Sequence, residues 1–73
     1  MSHNIEYQIV EHIANLSEGG GWKLELNLIS WNNAEPKYDI RSWNEDKTKM
    51  SKGITLDSSE MKLLKKALKD LKI

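Results

Sequence analysis

Apolar residues recur at every second position through most of the chain, and the spacing changes only near its end. Ile5, Tyr7, Ile9 and, past Glu11, Ile13 stand among Glu6, Gln8 and His12, which predicts a half-buried strand from Ile5 to about Leu16. Gly19, Gly20 and Gly21 follow. Glycine reaches positive φ without steric cost, so this run predicts a hairpin turn. A phosphate-cradling loop would need a helix N-terminus behind it, whereas another alternating run comes next. In that run Trp22, Leu24, Leu26 and Leu28 take one side, and Lys23, Glu25, Asn27, Ile29 and Trp31 take the other. The leucine side is expected to be the core, with Trp22 in it. Asn32 to Pro36 reads as a polar connection, since Pro36 cannot donate to a ladder. A third strand, Lys37 to Trp43, turns Tyr38 and Ile40 inward and leaves Lys37, Asp39, Arg41 and Trp43 on the outer face. Asn44 to Lys52 is dense in charge with no apolar period and reads as a mobile loop. Gly53 to Leu56 makes a short fourth strand.

From Asp57 the period changes to that of a helix. Asp57 and Glu60 have the spacing of a capping box, so a helix is expected to start at Ser58. Met61, Leu64, Leu68 and Leu71 fall on one stripe, widened by Leu63 and Ala67, with Lys62, Lys65, Lys66, Lys69 and Lys72 on the remainder. Those lysines suit the negative end of the helix dipole and read first as a solvated face. The predicted fold class is α+β: a four-stranded antiparallel sheet followed by one C-terminal amphipathic helix, in two layers. One short helix cannot cover four twisted strands, and the surplus apolar width suggests a homodimer.

Composition sharpens this picture. At 73 residues the chain is expected to be one domain, 1–73, because a smaller piece could not bury a core of its own. No apolar run approaches the roughly 18 residues needed to cross a bilayer. The first residues hold acidic side chains and lack the pattern of a secretory signal, so a cytoplasmic location is expected. The chain has no cysteine and 2 histidines, which removes disulfides, thiolate chemistry and sulfur-based zinc sites. Size and lack of staples again favour a dimer. Formal net charge is zero, which argues against a uniformly basic nucleic-acid binder. The charge is nevertheless segregated: Met1 to Gly21 holds Glu6, Glu11 and Glu18 with no Lys or Arg, and the lysines gather further on.

Catalysis finds no foothold. Ser17, His12 and Asp39, or His3 and His12 with an acid, could be drawn together on paper, but nothing in their spacing selects them. No enzyme activity, no metal and no cofactor are expected. The outer sheet face is more informative, because Lys23, Lys37 and Arg41 are interleaved there with Trp31 and Trp43. Unpaired bases stack on such rings for about 1 to 3 kcal/mol each, while Lys and Arg track the phosphates. The competing reading packs Trp31 and Trp43 under a loop, against cross-strand neighbours or in a dimer contact.

Lys37 to Leu56 reads KYDIRSWNEDKTKMSKGITL and precedes a capped amphipathic helix. This string resembles the single-stranded-DNA-binding domain of the transcriptional coactivator positive cofactor four, in which a DIR strand with a nearby tryptophan precedes a KGI(S/T)L strand and the final helix. The opening IEYQIVEHIANLSE, before the glycine turn, looks like the short bacterial members of that family, the YdbC type. The specific part is Asp39, Ile40, Arg41, Trp43, Lys52, Gly53, Ile54 and Leu56. The resemblance implies a homodimer that binds single-stranded DNA with little sequence preference, in transcription regulation, replication or repair. It places Arg41 and Trp43 at positions that hold phosphate and stack bases, and Lys52 at the basic residue before the family's glycine. Lys23, Trp31, Lys37 and Lys49 rest on alternation and loop placement. The chain departs from the family in its zero net charge and in carrying no basic, serine-rich tail, which argues against regulation through one.

The expected interface is therefore Lys23, Lys37, Arg41, Lys49 and Lys52 on phosphates, with Trp31 and Trp43 stacking bases. Glu25, Asp39 and Glu45 are expected to pair with neighbouring cations and limit phosphate affinity. Arg41→Ala and Trp43→Ala should weaken binding and leave the fold intact. Two other readings stay open: a module that docks a transcription or repair protein through its helix stripe or sheet face, and a binder of single-stranded RNA, which depends on 2′-OH contacts.

Overall fold

The computed structural model describes residues 5–73. Strands β1 (Tyr7–Asn15), β2 (Lys23–Trp31), β3 (Lys37–Trp43) and β4 (Met50–Leu56) are followed by one helix, α1 (Ser58–Asp70). The strands form a single antiparallel sheet in the order β1-β2-β3-β4, as the alternation and turn residues predict. The first connection turns where Gly19 and Gly20 adopt φ of 75° and 73°. It closes through Leu16 N–H donating to the Leu24 carbonyl at 2.7 Å and Leu24 N–H donating to Ser17 Oγ at 2.9 Å. Helix α1 starts on the expected capping box: Glu60 N–H donates to Asp57 Oδ1 at 2.8 Å and Asp57 N–H donates to Glu60 Oε1 at 2.9 Å. The Glu60 amide and the Ser59 hydroxyl hold the Asp57 carboxyl below its usual range.

Side-chain burial reverses one expectation. The deepest side chains are Glu25, Asn27, Ile29, Asp39 and Trp43, all on the face opposite Leu24, Leu26 and Leu28, which are only half-buried. The core of the single chain is thus not the leucine side. Trp22, expected inside, precedes β2 and is 50% exposed. Curvature is the reason. The nine residues of β2 would span about 27 Å between their ends if straight. Trp43 pairs with Lys23 at one end of β2 and Trp31 forms the other end. Even so, the Tyr7 ring lies 5.4 Å from Trp43 and 5.8 Å from Trp31. The sheet curls around this face, so its side chains converge while those on the leucine face splay apart.

Two register shifts in β1, between Ile9 and Glu11 and between His12 and Ala14, supply part of the bend, since an unpaired residue kinks its strand and tightens the twist. They also break the alternation read from sequence. Tyr7 and Ile9 stand opposite Trp31 and Ile29, but beyond the first shift His12, not Ile13, faces Asn27.

The segment after β3 is a hydrogen-bonded turn, and β4 begins at Met50 rather than Gly53. Asn44 ties it together by donating its N–H to the Lys49 carbonyl at 3.1 Å and accepting the Lys49 N–H on Oδ1 at 2.9 Å. Among the described elements, helix α1 touches β3 and β4 alone. Leu63, Leu68 and Leu71 on its apolar stripe remain exposed. The chain alone exposes 5951 Å², against about 4600 Å² for a compact monomer of its 8.4 kDa. Among the described residues no helix is long and apolar enough to cross a membrane.

Candidate nucleic-acid interface

Two buried carboxylates organise the curled face. Asp39 is fully buried, and a bare charge there would be prohibitive. Arg41 neutralises it with a fork: Nε donates to Oδ1 at 2.6 Å and Nη2 to Oδ2 at 2.8 Å, while Thr55 Oγ1 donates to Oδ2 at 2.9 Å. The guanidinium lies 4.7 Å from the centroid of the Trp31 ring, a cation–π stack. Gly53 makes room for it. Opposite Arg41 in the ladder, a Cβ at position 53 would stand 2.4 Å from Arg41 Cβ, 2.4 Å from the Ile40 carbonyl oxygen and 3.0 Å from Arg41 Nε. The glycine of the KGI string is therefore required by close approach.

The second carboxylate, Glu25, is gripped by Lys47 Nζ and accepts from Asn27 Nδ2 at 3.1 Å. Asn27 Oδ1 in turn meets His12 Nδ1 at 2.7 Å. With the Asn27 amide nitrogen donating to Glu25, His12 Nδ1 must carry the hydrogen. Burial pushes the Glu25 carboxyl up, but hydrogen bonds from Lys47 and Asn27, with the Lys47 charge, outweigh it and hold the group below its usual range.

Over these pairs lies an aromatic cluster. The Tyr7 ring sits tilted against both Trp31 and Trp43, and its hydroxyl donates to the Lys47 carbonyl at 3.0 Å. Lys47 holds a left-handed backbone, φ 62°, so the turn between β3 and β4 straps the face at two points: its ammonium on Glu25 and its carbonyl on Tyr7. Trp43 is 1% exposed. The indole Nε1 groups of Trp31 and Trp43 are buried without an acceptor among the described residues.

The residues expected at the interface divide accordingly. Trp31, Arg41 and Trp43 come together on one face, Trp31 and Arg41 in direct contact and Trp43 through Tyr7. The outer position expected for Trp43 is corrected, because the curl and the strap bury it. Lys23, Lys37, Lys49 and Lys52 are exposed and join no ion pair among the described residues. Lys23 and Lys37 open β2 and β3, Lys49 closes the strap, and Lys52 lies at the register shift of β4. Glu25 and Asp39 do pair with cations; Glu45 is in none of these pairs. Sequence reading missed Tyr7 and Lys47. The bulges hide the role of Tyr7, and Lys47 sits in a stretch whose charge density signals nothing but solvent.

Residues 19–67 match the family described as Transcriptional Coactivator p15 (PC4). The chain belongs to this family. The match takes in the glycine turn, the Asp39–Arg41 fork, Gly53 and most of α1, the parts that shape the curled face. A Treponema pallidum (strain Nichols) protein described as uncharacterized is 40% identical over 74 residues, spanning all of this chain and 87% of its own length. Membership of the coactivator p15 family points to single-stranded DNA binding and a transcription-related role, and the aromatic cluster beside Arg41 is compatible with it.

Proposed function

We propose that the chain, as a homodimer, binds single-stranded DNA on the curled sheet face with little sequence preference and without enzymatic activity. The observation that carries this reading is the Trp31–Arg41 stack, in a chain of the coactivator p15 family that leaves Lys23, Lys37, Lys49 and Lys52 unpaired among the described residues. Aromatic planes give every base a stacking partner, while Lys23, Lys37, Lys49 and Lys52 track phosphates and release counterions. Arg41 is committed to Asp39, so its contribution is to hold Trp31 and offer a guanidinium edge. Trp43 acts as a floor beneath Tyr7. The zero net charge and the paired Glu25 and Asp39 keep affinity moderate and strongly salt-dependent. The site suits a cytoplasmic protein of the short bacterial type, serving transcription regulation, replication or repair alongside a protein partner.

The exposed area and the uncovered leucine and helix stripes support the dimer, because each leucine taken from water contributes about 1.5 to 3 kcal/mol. Fluorescence anisotropy of a labelled oligo-thymidine about twenty nucleotides long, longer than a typical site, tests the reading across a series of salt concentrations with duplex and oligo-uridine controls. Binding that fades with salt and prefers the DNA single strand is expected. Absence of binding at low salt would overturn it, and tighter binding of oligo-uridine would move the ligand to RNA.

A further inference from the structure

The aromatic cluster has an unusual composition for a finished core. Two indole rings meet a third ring, Tyr7, at 5.8 and 5.4 Å with tilts of 47° and 50°. Both indole N–H groups are buried without an acceptor among the described residues, a cost of about 1 to 3 kcal/mol for each donor. A settled hydrophobic core has no reason to carry two such donors on rings that both meet Tyr7. The strand that carries Tyr7 is paired on one side only. Tyr7 lies on the edge strand β1, just before the first register shift, and its hydroxyl is clasped by the Lys47 carbonyl. Lys47 itself adopts a backbone conformation that costs free energy for a side chain other than glycine, and it is tied down through Glu25, a carboxylate meeting an ammonium as a phosphate would.

We propose that Tyr7 occupies a nucleobase slot against Trp31 and Trp43, and that a single strand binds there by displacing the Tyr7 ring and releasing the Lys47 strap. This rests on the single-strand reading above and adds to it the site of base insertion and its internal competitor. A base carries what the Tyr7 ring lacks: in-plane carbonyl and ring-nitrogen acceptors, which can take an indole N–H edge to edge, and the tilts of Tyr7 against Trp31 and Trp43 show that the group held here need not stack flat on either ring. Its phosphate takes the place of Glu25 on Lys47, and Glu25 keeps the Asn27 amide and the His12 ring, 3.4 Å from its Oε1. The free protein is then a self-occupied state, and apparent affinity is reduced by the fraction of molecules that are open.

Tyr7→Phe is the discriminating variant. It keeps the ring and the net charge and removes only the hydroxyl bond to Lys47, so plain electrostatics predicts no change in binding. The proposal predicts oligo-thymidine binding about 2- to 10-fold tighter than wild type, the equivalent of one hydrogen bond lost from the closed state alone. It also predicts greater acrylamide quenching of tryptophan in the free variant, since Trp43 becomes accessible. Circular dichroism establishes that the variant is folded. Unchanged or weaker binding by folded Tyr7→Phe beside a binding wild type would overturn the slot and leave the single-strand reading standing. Failure of both proteins to bind would overturn that reading and the slot with it. Should Tyr7→Phe not fold, quenching of wild type decides: Trp43 must pass into an open, acrylamide-accessible state on the timescale of binding, and a wild type whose quenching shows Trp22 and Trp31 alone reachable at every temperature below unfolding would overturn the slot.

Discussion

Gly53→Ala tests the packing on which the site depends. The added methyl would stand 2.4 Å from Arg41 Cβ and from the Ile40 carbonyl oxygen, and 3.0 Å from Arg41 Nε. Contacts near 2.4 Å cannot be relieved by rotating a side-chain tip, because one neighbour is backbone and another is a Cβ. Strand β4 must move away from β3, or Arg41 must leave its place. Overpacking of this kind costs about 1 to 3 kcal/mol, and loosening the fork that neutralises fully buried Asp39 adds to it, since a buried pair broken outright costs about 3 to 5 kcal/mol. A loss of about 3 kcal/mol is therefore expected. For a domain of this size that lowers the midpoint of thermal unfolding by about 12 to 24 °C, measured by circular dichroism at fixed protein concentration so that association does not confound the comparison. Gly21→Ala is the control, since a Cβ there meets nothing within 4 Å, and its effect should stay within about 0.5 kcal/mol. A Gly53→Ala midpoint equal to that of Gly21→Ala would refute the close-approach account of the KGI glycine.

Other variants follow the same geometry. Trp43→Ala removes a side chain that is 1% exposed and should cost about 3 to 5 kcal/mol, so loss of cooperative unfolding is expected rather than a binding defect in an intact fold. Arg41→Ala strands Asp39 in the interior and should cost a similar amount, about 3 to 5 kcal/mol; adding Asp39→Asn should recover part of it in urea unfolding, and no recovery would separate the two residues energetically. Glu25 is held below its ordinary value of 4.5 by Lys47 and Asn27 against the opposing effect of burial. Its contribution is full above that value and is lost as pH falls through the folded-state pKa. Glu25→Gln should thus flatten the acid limb of the stability profile below about pH 4.5, and an unchanged limb would contradict the sign.

How much of this was legible beforehand follows from which forces act locally. Strand order, the glycine turn and the Asp57–Glu60 cap are written in neighbouring residues, because turn conformation and capping depend on a few adjacent side chains. The KGI and DIR strings identify the family for the same reason: Asp39, Arg41 and Gly53 form one contact. Which face is buried was not legible. Alternation separates the faces but does not say which one curls inward. The leucines look like a core because they are apolar, yet the inward face carries Glu25, Asn27 and Asp39, each of which also draws on a partner far along the chain: Lys47, His12 and Thr55. The β1 bulges escaped for a related reason, since Ile13 keeps the apolar period while the register has already shifted. Lys47 is indistinguishable in sequence from its solvated neighbours; only the fold brings its ammonium to Glu25.

The central claim, that the curled face takes single-stranded DNA, is tested most directly by the three tryptophans. Their indole N–H resonances report three places: Trp22 outside the face, Trp31 in the stack and Trp43 on the floor. In a titration with oligo-thymidine followed by ¹⁵N-resolved NMR, the account predicts that the Trp31 and Trp43 signals move together, the Arg41 Nε–H signal moves with them, and Trp22 stays in place. Movement of Trp22 alone, with Trp31 and Trp43 unchanged at saturation, would contradict it.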